Sequence, residues 1–328
     1  MTERLVVFAP NWLGDAVMAL PAIRDVRRHF SDASLTIAAR SSVAPLFRAV
    51  SGVDRLEVLD SGRVSAKLTA DIGILLPNSF RSAWLFKRAG VKERWGYRSD
   101  FRSVLLTRAV RRPRMKVHFG EYYSNLVRQL GMETGPLTPQ LAVPATTISA
   151  AAKLLADRGW KPGQPLVGVA PGAAFGHAKR WPASRFAQLA DMLSRDTGAL
   201  CVVLGRAEDR DAGRDVRGIN LVGQTDLTLL IGVLSHCRAL VANDSGALHL
   251  AAALGVSVTG IYGPTDERYS TPLMSCQEAG QRVTAMSEPV FCRPCFLADC
   301  PIDHRCMKRI STDRVYASVR ALLEETHS

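Results

Sequence analysis

Short apolar strands alternate with amphipathic segments along this 328-residue chain, and one break interrupts the alternation. Runs such as LVVFA (5–9) and LVGVA (166–170) are typical of buried parallel strands, and the segments between such runs have the apolar spacing of helices. This pattern predicts an α/β fold, because helices cover both faces of a parallel sheet. The break is GWKPGQP (159–165), which is rich in turn formers and indicates a linker.

The linker predicts two doubly wound domains, and the length of the chain suits that number. We expect an N-terminal Rossmann-like domain over residues 1–158 and a C-terminal one over residues 166–310. A last helix within 311–328 is expected to pack back towards the N-terminal domain. In such sheets ligands bind where the strands end, so the loops that follow strands are the candidate sites.

Positive charge is concentrated before the linker. Residues 1–158 carry 24 Lys and Arg against 13 Asp and Glu, whereas the remaining residues carry 18 against 17. This excess predicts an anionic partner for the first half. Within it, residues 81–116 combine twelve basic residues with several aromatic ones, which leaves nucleic acid open as a partner.

Export and membrane insertion are not expected. The N-terminal apolar run is too short for a signal peptide. The longest stretch without Asp, Glu, Lys or Arg, residues 245–265, contains several glycines and a proline, so no membrane span is predicted. Seven cysteines, an odd number, then favour a reduced, cytoplasmic protein.

Three loops that follow predicted strands carry candidate chemistry. In the first, Gly14 permits a sharp turn and Asp15 lies at the cap or in the first turn of a helix, as a cap or as a general base. In the second, PGAAFGHAKRWP (171–182), glycines allow close backbone approach and Lys179 and Arg180 supply charge for a phosphate-bearing ligand. A basic surface turn is the alternative there. Neither a dinucleotide fingerprint nor a P-loop is present.

The third loop, at residues 243–249, delivers a polar turn into a helix. The N–H groups of Ser245, Gly246 and Ala247 form a natural diphosphate site. Asp244 is expected to bind sugar hydroxyls or to orient a neighbouring basic group. His249 lies one turn further along the same helix, in a structural role or at the anion site.

Two weaker patterns remain. Asp209-Arg210-Asp211 is interpreted as a solvated helix start, with at most a supporting role at a ribose. Four cysteines within fifteen residues indicate either a structural thiolate–metal site or ordinary loop thiols, and catalysis there is not expected. These are Cys292, Cys295, Cys300 and Cys306.

Three segments together resemble the ADP-heptose:lipopolysaccharide heptosyltransferases: NWLGDAVMALPAI, PGAAFGHAKRWP and NDSGALHLAAALGVSVTGIYGPTD, in that order. The PGAxFGxAKRWP form and the CRPC loop look most like the type II enzymes of the inner core. The resemblance implies a GT-B fold, with two facing Rossmann-like domains and a cleft between them. It also implies inverting transfer of L-glycero-D-manno-heptose from ADP-heptose to the first heptose of the lipopolysaccharide inner core, with no cofactor in catalysis.

By this resemblance Asp15 is the catalytic base and Lys179 neutralises the donor diphosphate. The expected donor-binding residues are Gly172, Ala173, Arg180, Asp244, Ser245, Gly246, Ala247 and His249. The expected acceptor-binding residues are Asn11, Trp12, Asn78, Arg81 and Arg98, and the acceptor is a phosphorylated lipid A–core saccharide. The basic half then predicts peripheral contact with the cytoplasmic face of the inner membrane, and no nucleic acid.

Two other functions stay open at this point. Another GT-B transferase, for example one that uses a UDP-hexose, would need similar loops. The loops indicate binding of a diphosphate and a sugar more clearly than they indicate which nucleobase the donor carries. A basic nucleic-acid-binding protein is less favoured, because no nucleic-acid module is present and the two anion-binding turns would go unexplained.

Overall fold

The computed structural model describes residues 3–59, 68, 70–274 and 282–324. Its contacts divide the chain into two units, Met1–Ala142 and Val143–Ser328. Each unit is built on its own six-stranded parallel sheet, so the predicted α/β class is confirmed.

The first sheet has the strand order β3-β2-β1-β4-β5-β6. Because β1 pairs with both β2 and β4, the strand order reverses at the β1/β4 boundary, which is where ligands bind in open α/β sheets. Its elements are β1 (Arg4–Phe8), α1 (Leu13–Met18), α2 (Leu20–His29), β2 (Ser34–Ala39), a 3₁₀ turn (Ala44–Ala49), β3 (Arg55–Val58), β4 (Ile72–Leu75), α3 (Phe80–Arg88), β5 (Glu93–Tyr97), a 3₁₀ turn (Arg102–Leu105), β6 (Arg108–Val110) and α4 (Phe119–Gln129).

The second sheet has the order β12-β11-β10-β7-β8-β9, and its strand order reverses between β7 and β10. Its strands are β7 (Leu166–Ala170), β8 (Leu200–Val203), β9 (Ile219–Asn220), β10 (Ala239–Asn243), β11 (Ser257–Tyr262) and β12 (Val283–Ser287). The helices are α5 (Ala145–Asp157), α6 (Ala183–Thr197), α7 (Arg210–Gly213), α8 (Leu227–Ser235), α9 (Gly246–Ala253), α10 (Glu267–Ser270), α11 (Arg305–Lys308) and α12 (Thr312–Glu324), with a 3₁₀ turn at Ala207–Asp209.

The central strands of the second sheet are buried at every residue. All positions of β7, β10 and β11 are buried, as expected for parallel strands covered on both faces. Trp181, which is 2% exposed, packs edge-on against Phe186 of α6 in the core beneath the sheet. The sheet is therefore a rigid support for the loops at its carboxyl edge.

The unit boundary differs from the expected one at residue 158. Helix α5 lies before the turn-rich segment 159–165, but it packs against α8 and so belongs to the second unit. Its buried residues Ala151 and Leu155 provide the apolar contact. Burial of that face decides the boundary, and the linker composition does not.

The last helix packs on the second unit. The main contacts of α12 are with α6, β10 and β11. Val315 and Val319, both 0% exposed, lie in the core cluster of that unit. Residues 325–328 of the predicted last segment lie outside the described residues. Within the described ranges, no helix combines the length and apolar character that crossing a bilayer requires.

Candidate active site

Two of the predicted loops start from neighbouring strands. Ala170, at the end of β7, pairs with Ala242, next to the end of β10. The loop 171–182 and the turn at Asp244–Ser245 therefore leave the sheet side by side, at the reversal of strand order. The structure thus brings the two predicted anion-binding turns together.

Asn243 ties these two loops to each other. Its side-chain Oδ1 accepts the N–H of Trp181 at 3.0 Å, and its Nδ2 donates to the carbonyl of Pro171 at 2.7 Å. The residue is fully buried, so water does not compete for either bond. Asn243 was not among the predicted site residues, because an Asn at a strand end gives no local sign of a partner more than 60 residues away.

Replacing Asn243 by alanine is expected to destabilise the fold. The change leaves the N–H of Trp181 and the carbonyl of Pro171 buried without partners, at a cost of about 1–3 kcal/mol each. Urea unfolding should show a lower midpoint, while the slope of the free energy of unfolding against urea concentration stays unchanged. A midpoint equal to that of the unchanged protein would mean that the two hydrogen bonds of Asn243 do not contribute to the stability of the fold.

Lys179 and Asp244 form a partly buried ion pair. The Nζ of Lys179 lies 2.7 Å from Oδ2 of Asp244, and these side chains are 15% and 6% exposed. The hydroxyl of Thr265 donates to the same Oδ2 at 2.8 Å, and Nε2 of the buried His249 lies 4.0 Å from Oδ1. Of the two roles expected for Asp244, orientation of a neighbouring cation is the one that this contact supports.

The ion pair lies beside the N-terminus of α9. Ser245 is the N-cap residue, in extended conformation, and its side chain makes no capping bond to the helix. Its buried Oγ has no hydrogen-bond partner among the described atoms. The first N–H groups of an α-helix have no partner within the helix, so those of Gly246 and Ala247 are available to an anion.

Arg180 pairs with a buried carboxylate rather than with solvent. Its guanidinium contacts Oδ1 of Asp209 at 3.2 Å, and the backbone N–H of Arg206 donates to Oδ2 at 3.0 Å. Asp209 is 4% exposed, so the interpretation of this segment as a solvated helix start was wrong for Asp209. A Cβ at position 172 would lie 2.3 Å from the Asp209 carboxylate, so Gly172 is what lets the acid approach. Ala173 is buried next to it.

In the first unit, Asp15 is not the cap of its helix. Trp12, 57% exposed, occupies the N-cap position of α1, and Asp15 lies in the first turn. The pKa of the buried Tyr123 phenol on α4 is raised well above its ordinary value, first by burial and then by the nearby Asp15 carboxylate. Oδ1 of Asn11 is buried with no hydrogen-bond partner among the described atoms.

The expected acceptor residues follow β1, β4 and β5, which are adjacent in the sheet. Asn78 follows β4 and donates to the hydroxyl of Tyr122 at 2.8 Å. Arg81 lies exposed in the first turn of α3. Arg98 follows β5 and donates from Nε to the carbonyl of Ala109 at 3.3 Å.

Arg102, a buried neighbour of Asn78, was not predicted from the sequence. It is 0% exposed, and it donates from Nε to the carbonyl of Tyr97 at 2.8 Å and from its guanidinium to Oδ1 of Asn78 at 3.5 Å. Burial lowers its pKa to about 10. It is one of twelve basic residues in 81–116, and no local pattern distinguishes it from its exposed neighbours.

The four cysteines of segment 292–306 border one small cavity. The pKa of the Cys306 thiol is raised, first by burial, with smaller contributions from the sulfurs of Cys292, Cys300 and Cys295. Among the residues that the structure describes, no three His, Cys, Asp or Glu side chains are already arranged to hold a metal ion.

Comparison with known proteins shows which family this chain belongs to. Residues 65–305 match glycosyltransferase family 9 (heptosyltransferase). The lipopolysaccharide heptosyltransferase 2 of Salmonella typhimurium is 30% identical over 298 residues, which cover 82% of this chain and 85% of that protein. The solved structure of Escherichia coli ADP-heptose lipopolysaccharide heptosyltransferase II superposes with a TM-score of 0.83 at 27% identity, covering 99% of this chain and 100% of that one. A family 9 glycosyltransferase from Veillonella parvula has the same fold, with a TM-score of 0.82 at 23% identity over 98% of this chain and 97% of that one.

Proposed function

This chain belongs to glycosyltransferase family 9, the heptosyltransferases, and we propose that it transfers L-glycero-D-manno-heptose from ADP-heptose to the first heptose of the lipopolysaccharide inner core. The observation that carries the proposal is the Lys179–Asp244 pair beside the N-terminus of α9. A cation and a row of free N–H groups at the end of a central strand suit the diphosphate of a nucleotide sugar.

The donor site is proposed to act on the leaving group. Lys179 has three N–H donors, of which Asp244 accepts one, so the others are available to phosphate oxygens. As the bond between the anomeric carbon and the phosphate oxygen breaks, ADP takes the electron pair. Groups fixed in advance meet that charge without reorganisation, and such donors are each worth about 3–4 kcal/mol in other enzymes.

The acceptor step is proposed to use Asp15 as general base. Its carboxylate takes the proton of the acceptor hydroxyl while that oxygen forms the new bond to the anomeric carbon. A single displacement of this kind inverts the anomeric centre. No metal or other cofactor takes part, because the charge on the leaving diphosphate is met by Lys179 and α9.

The basic first half is proposed to bind the phosphorylated lipid A–core acceptor at the cytoplasmic face of the inner membrane. Charge reversal at Arg81 or Arg98 should then raise KM for the acceptor severalfold or more and leave the Kd for ADP-heptose unchanged, because these residues follow strands of the first sheet only. Added salt should reduce the difference between variant and unchanged protein.

Arg217→Glu is the matched control, since Arg217 is an exposed arginine of the second unit. Initial rates at varied acceptor, together with calorimetry for the donor, separate the two effects. Equal losses of donor and acceptor binding in the Arg81 and Arg98 variants would contradict the assignment.

Heptose transfer itself is tested by mass spectrometry of a mono-heptosylated core acceptor incubated with a panel of nucleotide sugars. We expect one added heptose with ADP-heptose and no product with UDP-hexoses. A hexose product would favour the alternative transferase. Salt-sensitive binding to nucleic acid in the absence of ADP-heptose binding would favour a nucleic-acid-binding protein.

A further inference from the structure

Segment 292–306 forms a second candidate site, outside the chemistry of transfer. Its four cysteines border a cavity of about 20 Å³, together with Arg293 and Arg305. A space of about 10–15 Å³ is enough for one water-sized sphere, so the cavity has room for one small ion. Cys306 is buried, and the other three thiols are partly exposed, so an ion can enter.

We propose that this cavity binds one thiolate-preferring divalent metal ion, zinc above all, through Cys292, Cys295, Cys300 and Cys306. Four cysteines are a standard ligand set of structural zinc. Binding releases the four thiol protons to solvent and transfers no electrons. Arg293 and Arg305 border the same cavity, and each also pairs with one carboxylate, that of Glu267 and that of Asp303 respectively.

One backbone contact already suits a thiolate. The N–H of His304 donates to Sγ of Cys300 at 3.3 Å, and hydrogen bonds to sulfur are typical of metal-bound cysteines. As the described residues stand, the sulfurs do not form a closed ligand shell. Neutral thiols do not attract one another strongly, whereas a divalent cation attracts four thiolates to itself. Each Cys side chain can turn about one bond, which moves its sulfur towards or away from the cavity.

Backbone hydrogen bonds also join segment 292–306 to the loops of the proposed donor site. The link to ADP binding that we draw from these bonds rests on the proposed function. The carbonyl of Ala298 accepts the N–H of Ala178, next to Lys179, at 2.9 Å. The carbonyl of Pro264, next to Thr265, accepts two N–H groups of the segment at 3.1 and 2.9 Å. Gly176, with φ +71°, would place a Cβ 2.1 Å from the same Ala298 oxygen, so the two loops are in direct contact. A metal ion would hold the segment against both loops that position the Lys179–Asp244 pair.

Elemental analysis of the full chain, purified under reducing conditions with zinc present, tests the site directly. We expect about one zinc ion per chain and four thiols protected from a thiol reagent. Cys295→Ser and Cys300→Ser should lose the metal, whereas Cys237→Ser, which alters a buried cysteine elsewhere in the unit, should retain it. Iron bound through the same four cysteines would equally support the site. Metal-free protein with reactive thiols, or a disulfide within the segment, would overturn it.

If the serine variants fail to fold, the unchanged protein still decides the question. A mercurial reagent should release the metal in proportion to thiols modified, and calorimetry should then show ADP binding weakened about tenfold or more. Release without any change in ADP binding would refute the coupling to the donor site. Metal content is measured without any transfer reaction, so a failure of the proposed function would appear separately, as absence of ADP binding in the metal-loaded form.

Discussion

Replacing Asp15 by asparagine is expected to lower kcat by a factor on the order of 10²–10⁴, the usual contribution of a general base. Asparagine keeps the size and polarity of the side chain but cannot take the proton of the acceptor hydroxyl. ADP-heptose binding should not change, because the proposed donor residues all lie in the second unit. Single-turnover rates with donor bound, together with calorimetry, measure the two quantities.

Asp313→Asn provides the matched control. Asp313 is an exposed acid in the first turn of α12, so the same chemical change is again made in the first turn of a helix, far along the chain. The control should retain the full rate. If Asp15→Asn also retains it, Asp15 serves only the helix terminus, and the base must be sought among other groups near β1.

Replacing Lys179 by methionine is expected to lower kcat/KM by about 10²–10³, the cost of losing one preorganised donor to developing negative charge. Methionine keeps most of the apolar stem but removes the ammonium. The change also leaves the carboxylate of Asp244 without its cation in a site where it is 6% exposed. ADP should therefore bind more weakly as well, which calorimetry detects.

A double-mutant cycle separates the roles of the pair. If Asp244 acts by positioning Lys179, then Asp244→Asn should lower kcat/KM in the unchanged protein and have little further effect in the Lys179→Met background. The control variant Lys153→Met, at an exposed lysine of α5, should leave kcat/KM unchanged. Additive losses would mean that Asp244 contacts the substrate independently, through sugar hydroxyls.

The features of the candidate site that sequence reasoning placed correctly in the fold are local ones, the loops that follow strands. A strand that ends in a glycine-containing polar turn before a helix is visible within about ten residues, and the loops at Asp15, Lys179 and Asp244 were all found in this way. That Lys179 pairs with Asp244 was left open, because it depends on the pairing of β7 with β10, whose residues lie about 70 positions apart.

The residues that were misjudged are those whose burial depends on distant segments. Asp209 lies in a charged run, and only the glycine at position 172 shows why it is enclosed. Arg102 has the same sequence surroundings as exposed arginines, yet it is buried and donates to the carbonyl of Tyr97 in β5 and to the hydroxyl of Ser82 in α3. Likewise, the apolar face of α5 could have packed on either sheet, and composition around residue 159 does not decide which.

The two sheets share one strand order, 3-2-1-4-5-6 when each is numbered from its own first strand. Asp15 and Lys179 therefore occupy equivalent positions in the two sheets, since each follows the first strand of its sheet. Asn78 and Asp244 are equivalent as well, since each follows the fourth strand. The halves can accordingly diverge separately. If the first unit binds the acceptor and the second the donor, as proposed, a new acceptor requires changes only in loops of the first unit and a new donor only in those of the second. Exchanging whole halves between related transferases would then exchange the two specificities separately.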